Sequence, residues 1–299
     1  MKVLATRRYP GPAFDELEDV EVLPLSELEG DREDVEGLIA ANEPVPLKLL
    51  PKLRIVANFG VGYDRIDLAA CAARGVVVTN TPGVLDDAVA DLAFALILAV
   101  RRQVVEADRF VRSGAWTGSW SEGGLAADVT GSTLGIVGLG RIGTAVARRA
   151  QGFELGVLYT QRRPVETDLA EFRELDALFT ESGLVTIHAP LTAETAGLVD
   201  ARRLALLRDG ACLVNTARGE IVDEQALVAE LVSGRIRAGL DVFVHEPAVP
   251  RELLDLPNVV LTPHVGSATL QTREEMTRLV VDNVLAVERG EPPLTPVSA

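Results

Sequence analysis

Short, continuously apolar runs alternate with helix-length intervals along almost the whole chain, and no other feature restricts the fold as tightly. The runs cover residues 2–6, 20–23, 37–41, 54–58 and 76–79; after a long helical stretch they resume at 133–137, 156–160, 184–188, 211–215, 238–242 and 259–262. Strands separated by helices predict parallel sheets covered on both faces. Runs that stay apolar, rather than alternating with polar residues, fit strands buried on both sides. At 299 residues the chain exceeds the size at which one core usually suffices, so two domains are expected. Residues 86–113 read as one long helix, with Asp86 or Asp87 near its start and Gly114 just past its end. A second helix, 270–288, precedes the stop Gly290-Glu291-Pro292-Pro293. The second strand series looks inserted between these two helices. The expected domains are therefore a discontinuous one, 1–97 plus 270–299, around a second, 98–269.

The best-defined local signal is Gly138-Leu139-Gly140-Arg141-Ile142-Gly143, which follows the strand at 133–137 and precedes a helical pattern at 144–151. In a strand–turn–helix context the first glycine permits the tight turn, the second lets backbone approach a pyrophosphate, and the third lets helix and strand pack closely. The helix N-terminal amides, from Arg141 and Ile142 onward, would then face phosphate. A lone glycine turn could be a surface loop; flanking strand and helix argue for a bound dinucleotide. The acidic residue expected ~20 positions later to hold a ribose 2′-hydroxyl is missing, however. The next strand runs instead into Thr160-Gln161-Arg162-Arg163-Pro164. Arg162 and Arg163 could form charge-assisted bonds to a 2′-phosphate, which favours NADP over NAD, although they could also only solvate a loop. The fold class expected is thus α/β, with two Rossmann-like domains, one flavodoxin-like and one dinucleotide-binding, and a cleft between their parallel sheets.

Three later loops each follow a strand of the second series: Asn215 to Glu220, Asp241 to Pro247 and Thr262 to Ser267. In a parallel sheet all three emerge at the carboxyl edge, beside the glycine turn, where open α/β sheets bind ligands. They bring an Arg, a Glu and a His together. Arg218 can grip a carboxylate and polarise a neighbouring carbonyl. His264 can protonate the carbonyl oxygen while a nicotinamide delivers hydride to its carbon. Glu246 would favour the imidazolium and orient it. The other histidines are read more plainly, His188 as structural at a strand end and His245 as a surface residue. No metal-ligand spacing is present.

The net charge of −15 argues against general affinity for nucleic acid or anionic membranes. Only Lys2, Lys48 and Lys52 are lysines, which argues against Schiff-base chemistry in the second half of the chain. Cys71 and Cys212 read as buried free thiols, and Asp87 and Asp91, one helical turn apart, as helix N-terminal charge. The apolar stretch 88–100 is interrupted by Asp91, closed by Arg101-Arg102 and shorter than the ~18 residues of a membrane span. The opening residues read as a strand and not a signal peptide, so the cytoplasm is the expected compartment.

These motifs resemble the D-2-hydroxyacid dehydrogenase family from about Pro51 almost to the end of the chain. The resemblance is carried by Asn58-Phe59-Gly60-Val61-Gly62-Tyr63-Asp64, the glycine turn, Asn215 to Glu220, Asp241 to Pro247, and Pro263 to Thr269. It implies reduction of a small 2-oxo acid, with Arg218 as substrate binder, His264 as acid/base and Glu246 as its partner. It further implies that the Val61 and Gly62 amides hold the substrate carboxylate and that Asp241 contacts the nicotinamide carboxamide. Pro190, Thr216 and Gly266 would line the cofactor, and the assembly would be a homodimer. Gly266-Ser267-Ala268-Thr269 and the segment 159–163 look most like glyoxylate/hydroxypyruvate reductases. The segment 116–128 departs from the family's usual Trp-containing loop in being shorter and richer in Gly and Ala. Trp120 could reach a neighbouring active site, as that loop does in relatives, or fill a core or interface. The rival readings are an NAD-linked enzyme of phosphoglycerate or D-lactate type, a dinucleotide-sensing corepressor-like interaction protein, and a methyltransferase. The last two give no reason for the Arg218/Glu246/His264 set.

Overall fold

A computed structural model describes residues 1–118 and 125–298. In chain order the elements are β1 (Val3–Ala5), β2 (Val20–Val22), β3 (Gly37–Ala40), β4 (Ile55–Asn58), α1 (Leu68–Ala73), β5 (Val77–Thr79), α2 (Asp86–Arg101) and α3 (Val104–Arg112). They continue with β6 (Thr133–Val137), α4 (Arg141–Gln151), β7 (Gly156–Thr160), β8 (Glu171–Phe172), α5 (Leu175–Glu181), β9 (Leu184–Ile187) and α6 (Ala201–Leu206). The last are β10 (Cys212–Asn215), α7 (Glu224–Val232), β11 (Arg237–Leu240), β12 (Val259–Leu261), α8 (Leu270–Glu288) and β13 (Pro296–Val297).

These elements form two compact units, Met1–Leu85 with Ser267–Ala299, and Asp86–Gly266. The first holds the sheet β13-β5-β4-β3-β1-β2, parallel throughout except for the antiparallel edge strand β13 on β5. With β1 between β2 and β3, the strand order reverses at β1, the flavodoxin-like arrangement. The second unit holds the all-parallel sheet β12-β11-β10-β9-β6-β7-β8, reversing at β6, which lies between β9 and β7. In the second unit α4, α5, α6 and α7 each join two parallel strands of the sheet, and in the first α1 joins β4 to β5.

The first boundary falls at 85/86, ahead of α2, and not after residue 97. Packing gives the reason. One side of α2 (Ala90, Ala93, Phe94, Leu96, Ile97, Val100) is buried with Leu134 and Ile136 of β6, Val146 and Ala150 of α4, and Val214 of β10. The helix lies so close on β11 that a Cβ added at Gly239 would sit 2.8 Å from Leu96 Cβ. The single helix expected over 86–113 is two helices in the structure. Gln103 takes the left-handed conformation, φ 53°, and its amide bonds back to Val100 O at 3.3 Å, closing α2 as a glycine would. While α2 is packed into the core, α3 has no buried residue, so the chain turns where its burial ends.

In the first unit the fully buried Asn283 of α8 ties down the C-terminal strand. Its Nδ2 donates to Leu279 O (2.7 Å) and Thr295 Oγ1 (3.0 Å), and its Oδ1 accepts from the Leu294 and Thr295 amides at 2.9 and 3.1 Å. Asn283→Leu keeps the branching at Cγ but adds bulk and orphans those buried groups, so it should lower unfolding free energy by about 2–4 kcal/mol in denaturant titrations. A change below ~0.5 kcal/mol would remove Asn283 from this role.

Candidate active site

Each glycine of the 138–143 turn meets a distinct steric demand. Gly138 has φ 95°, and a Cβ there would lie 2.9 Å from the Ala189 amide nitrogen, so the turn after β6 packs directly against the segment after β9. A Cβ on Gly143 would lie 2.1 Å from Gly138 O, which only glycine avoids. Gly140 has nothing within 4 Å of its Cβ position and caps α4 without a side-chain bond. The Arg141 and Ile142 amides, in the first turn, have no acceptor within the helix and the positive end of its dipole behind them. An open, uncapped helix N-terminus at the switch point of a parallel sheet fits a dinucleotide pyrophosphate. Gln161, just after β7, braces this turn: its Oε1 accepts from the Leu139 amide (3.2 Å) and its Nε2 donates to Arg163 O (2.6 Å). Arg162 and Arg163 are exposed beside it. Thr216, after β10, has a buried hydroxyl with no partner among the described residues.

Arg218, Glu246 and His264 all lie in the second unit, in the loops that follow β10, β11 and β12. Asn215 shapes the first loop, accepting from the Ala217 amide at 3.0 Å and donating to Arg218 O at 2.8 Å. Gly219 then packs on the second loop so closely that a Cβ would lie 2.2 Å from the Phe243 carbonyl carbon. His264 Nδ1 is 2.8 Å from Glu246 Oε2, while Glu246 Oε1 accepts from the Phe243 amide at 3.1 Å. Burial would raise the Glu246 pKa. The His264 hydrogen bond and the charges of His264 and Arg218 outweigh it and hold the carboxyl below its ordinary value. Glu246 is thus an anion at neutral pH, and His264 Nε2 is the nitrogen left for a reacting group.

Asp241 organises the His264 loop. Its side chain is fully buried; Oδ1 accepts from Thr262 Oγ1 (2.6 Å) and the Val265 amide (2.8 Å), and Oδ2 from the Gly266 amide at 2.9 Å. Its carbonyl accepts from the His264 amide at 2.9 Å, and His264 is held at φ 52°. Desolvation raises the Asp241 pKa, opposed by these bonds. The sequence suggested only a cofactor contact for this residue.

In the first unit the loop after β4 presents the Val61 and Gly62 amides. Asn58 Nδ2 holds the Gly60 and Gly62 carbonyls at 3.0 and 2.9 Å, and Asn80 Nδ2 holds Val61 O at 3.0 Å. With its carbonyls tied back, the loop has Val61 and Gly62 amides that donate to no acceptor among the described residues. Asn58 is marked in the sequence only as part of a motif and Asn80 not at all, because the partners of a side-chain amide are set by tertiary packing.

The remaining candidates resolve simply. His188 Nε2 is 2.9 Å from Thr186 Oγ1, and burial pushes its pKa down to about 3, so it is neutral and structural. His245 is exposed. Asp87 and Asp91 both pair with Arg149, at 3.0 and 2.6 Å. Cys71 and Cys212 are buried and free; burial pushes the Cys212 thiol up to about 12. Pro190 is exposed after β9, and Gly266 is buried against Asp241 and Val89. Trp116 is exposed, whereas Trp120 lies outside the described residues. Among the described residues no His/Cys/Asp/Glu cluster could hold a metal ion, and no helix is long and apolar enough to cross a membrane.

Comparisons with known proteins give the family. The sequence profile for the D-isomer specific 2-hydroxyacid dehydrogenase, NAD binding domain, matches residues 94–266. A glyoxylate reductase of Pyrococcus horikoshii is 48% identical over 99% of this chain and 96% of its own length, and one of Pyrococcus furiosus is 45% identical over 99% and 95%. Among solved structures, a protein of Thermus thermophilus superposes with TM-score 0.92 at 43% identity, covering 99% of this chain and 100% of that one. The NADPH-dependent glyoxylate/hydroxypyruvate reductase of Sinorhizobium meliloti, in complex with NADP and malonate, superposes with TM-score 0.91 at 38% identity, covering 99% and 96%. The chain belongs to the D-isomer specific 2-hydroxyacid dehydrogenase family. It is an oxidoreductase acting on CH–OH donors, with an NAD(P)-binding domain, that reduces a 2-oxo acid.

Asp241→Asn would set an amide NH2 against one of the three donors that the carboxylate now accepts. Stability should fall by about 1–3 kcal/mol, and the Val265 and Gly266 amides should lose hydrogen-exchange protection. Unchanged protection of both amides would show that Asp241 does not build the His264 loop.

Proposed function

We propose that this protein is an NADPH-linked glyoxylate or hydroxypyruvate reductase, with Arg218, Glu246 and His264 as its catalytic set. The observation that carries the reading is the 2.8 Å His264–Glu246 hydrogen bond, built on the same sheet edge as Arg218 and the glycine turn. The relatives named glyoxylate reductase support the substrate class. A nicotinamide held at the glycine turn would supply the hydride that the carbonyl carbon of the 2-oxo acid takes up. Arg218 grips the acid and polarises its carbonyl through the planar guanidinium. His264, oriented through Nδ1 by Glu246, gives the Nε2 proton to the carbonyl oxygen as it becomes a hydroxyl, ending neutral. The Val61 and Gly62 amides take the substrate carboxylate.

Cofactor contacts are assigned to Gly138, Gly140, Arg141, Ile142, Gly143, Pro190, Thr216, Asp241 and Gly266. The preference for NADP rests on Arg162 and Arg163, exposed after a strand that ends without an acid. A homodimer in the cytoplasm completes the reading. The dimer part of that reading draws on the apolar side chains of Val104, Val111 and Trp116, which are 52%, 53% and 60% exposed on the second unit.

His264→Gln is expected to lower kcat by about 10²–10⁴-fold while leaving NADPH affinity unchanged. Steady-state rates for glyoxylate, hydroxypyruvate, pyruvate and bulkier 2-oxo acids, each with NADPH and NADH, test the substrate and cofactor. Near-wild-type turnover in the variant would remove His264 from the mechanism. Tighter use of NADH would remove the arginines from cofactor choice.

A further inference from the structure

In the first unit two guanidinium groups flank a close pair of aromatic rings. The Tyr9 and Phe59 ring centroids are 4.4 Å apart; Arg7 Cζ lies 5.6 Å from the Tyr9 centroid, and Arg273 Cζ lies 5.4 Å from that of Phe59. Three elements deliver this row. Arg7 follows β1, the strand at which the sheet order reverses, where an open α/β sheet binds its ligands. Phe59 follows β4 and immediately precedes the Gly60-Val61-Gly62 loop. Arg273 comes from the first turns of α8.

Neither arginine pairs with a carboxylate among the described residues, in a chain with 44 acidic against 29 basic side chains. Other arginines of the same unit do find acids: Arg8 with Asp15, Arg32 with Glu21 and Asp34, Arg54 with Glu36, and Arg278 with Glu16. The two cations also repel one another, and Arg273 sits near the positive end of the α8 dipole. Burial, and then the charge of Arg7, lower the Arg273 pKa, so the environment disfavours the charge the residue carries. Arg7 also hydrogen-bonds the Tyr9 side chain; a guanidinium carries five N–H donors, so others remain, in the fork that matches an oxyanion.

We propose that Arg7 and Arg273 form a second anion subsite beside the Gly60–Gly62 loop, for the distal carboxylate or phosphate of a dianionic 2-oxo acid. The subsite deepens the reductase reading and rests on it. The 2-carboxylate remains with the Val61 and Gly62 amides, while the distal anion accepts from the two guanidinium forks. Such a site widens the substrate range from glyoxylate to acids with a second negative group.

The test compares kcat/KM for glyoxylate with that for 2-oxosuccinate (distal carboxylate) and phosphohydroxypyruvate (distal phosphate). It uses the full-length wild type, Arg7→Gln, Arg273→Gln and Arg273→Lys. Because each ratio is internal to one preparation, it does not depend on the fraction folded. For whichever dianionic acid is used, its kcat/KM relative to glyoxylate should fall by at least ~10-fold in both Gln variants, through KM, the loss expected of a charged hydrogen bond. Arg273→Lys, which keeps the charge, should recover part of the ratio. Parallel losses on all three acids, or a wild type that reduces glyoxylate but neither dianionic acid, would overturn the subsite. A wild type that reduces no 2-oxo acid would sink the reductase reading instead. The subsite would then be judged by calorimetry with malonate and acetate. Tighter malonate binding that is lost in the Arg7→Gln/Arg273→Gln protein supports it, and equal binding overturns it.

Discussion

Asp241 stands at the end of β11 with no exposed surface, and its carboxylate accepts from Thr262 Oγ1 and from the Val265 and Gly266 amides. A carboxylate removed from water costs several kcal/mol unless its oxygens are filled, and here one short loop fills them. That requirement bends the chain through the left-handed conformation at His264 and points its Nδ1 at Glu246, 2.8 Å away. The His264–Glu246 pair proposed for catalysis therefore sits on a loop that one buried carboxyl group holds. The same carboxylate draws the start of the chain's return to the first unit against Val89, through Gly266.

Both sheets apply the same principle at larger scale. A parallel sheet covered on both faces leaves only its strand ends to carry chemistry, and all strand carboxyl ends lie on one edge. In the second unit that edge carries the glycine turn, Thr216, Arg218, Glu246 and His264; in the first it carries Arg7 and the Val61–Gly62 loop. Side-chain amides then fix the loops: Asn215 beneath Arg218, Gln161 beneath the glycine turn, and Asn58 with Asn80 behind Val61. Where loops must approach backbone to backbone, glycine is the residue that fits, as Gly138, Gly143 and Gly219 show.

What the sequence made legible follows from which signals are local. Strands 133–137 and 156–160 and the helix 270–288 match the structure residue for residue, because apolar runs and caps are local features. The break at Gln103 was not legible, since glutamine has no preference for the left-handed region and tertiary burial decides the turn. Strands β8 and β13, two residues each, are too short to leave a pattern. Arg218, Glu246 and His264 could be grouped because each sits just past a strand of one series. The loop-building part played by Asp241 could not, because its three donors come from residues 21 to 25 positions away. Nor could the Arg7–Tyr9–Phe59–Arg273 row, whose members come from three separated segments.

The central claim is that this protein moves a hydride from the nicotinamide to the carbonyl carbon of a small 2-oxo acid. Mass spectrometry of glycolate formed from glyoxylate, with NADPH deuterated at C4 on each face in turn, tests it most directly. One face should deliver a single deuterium to C2 of the product and the other face none. Glycolate free of deuterium from both cofactors, or no glycolate at all, would contradict the account.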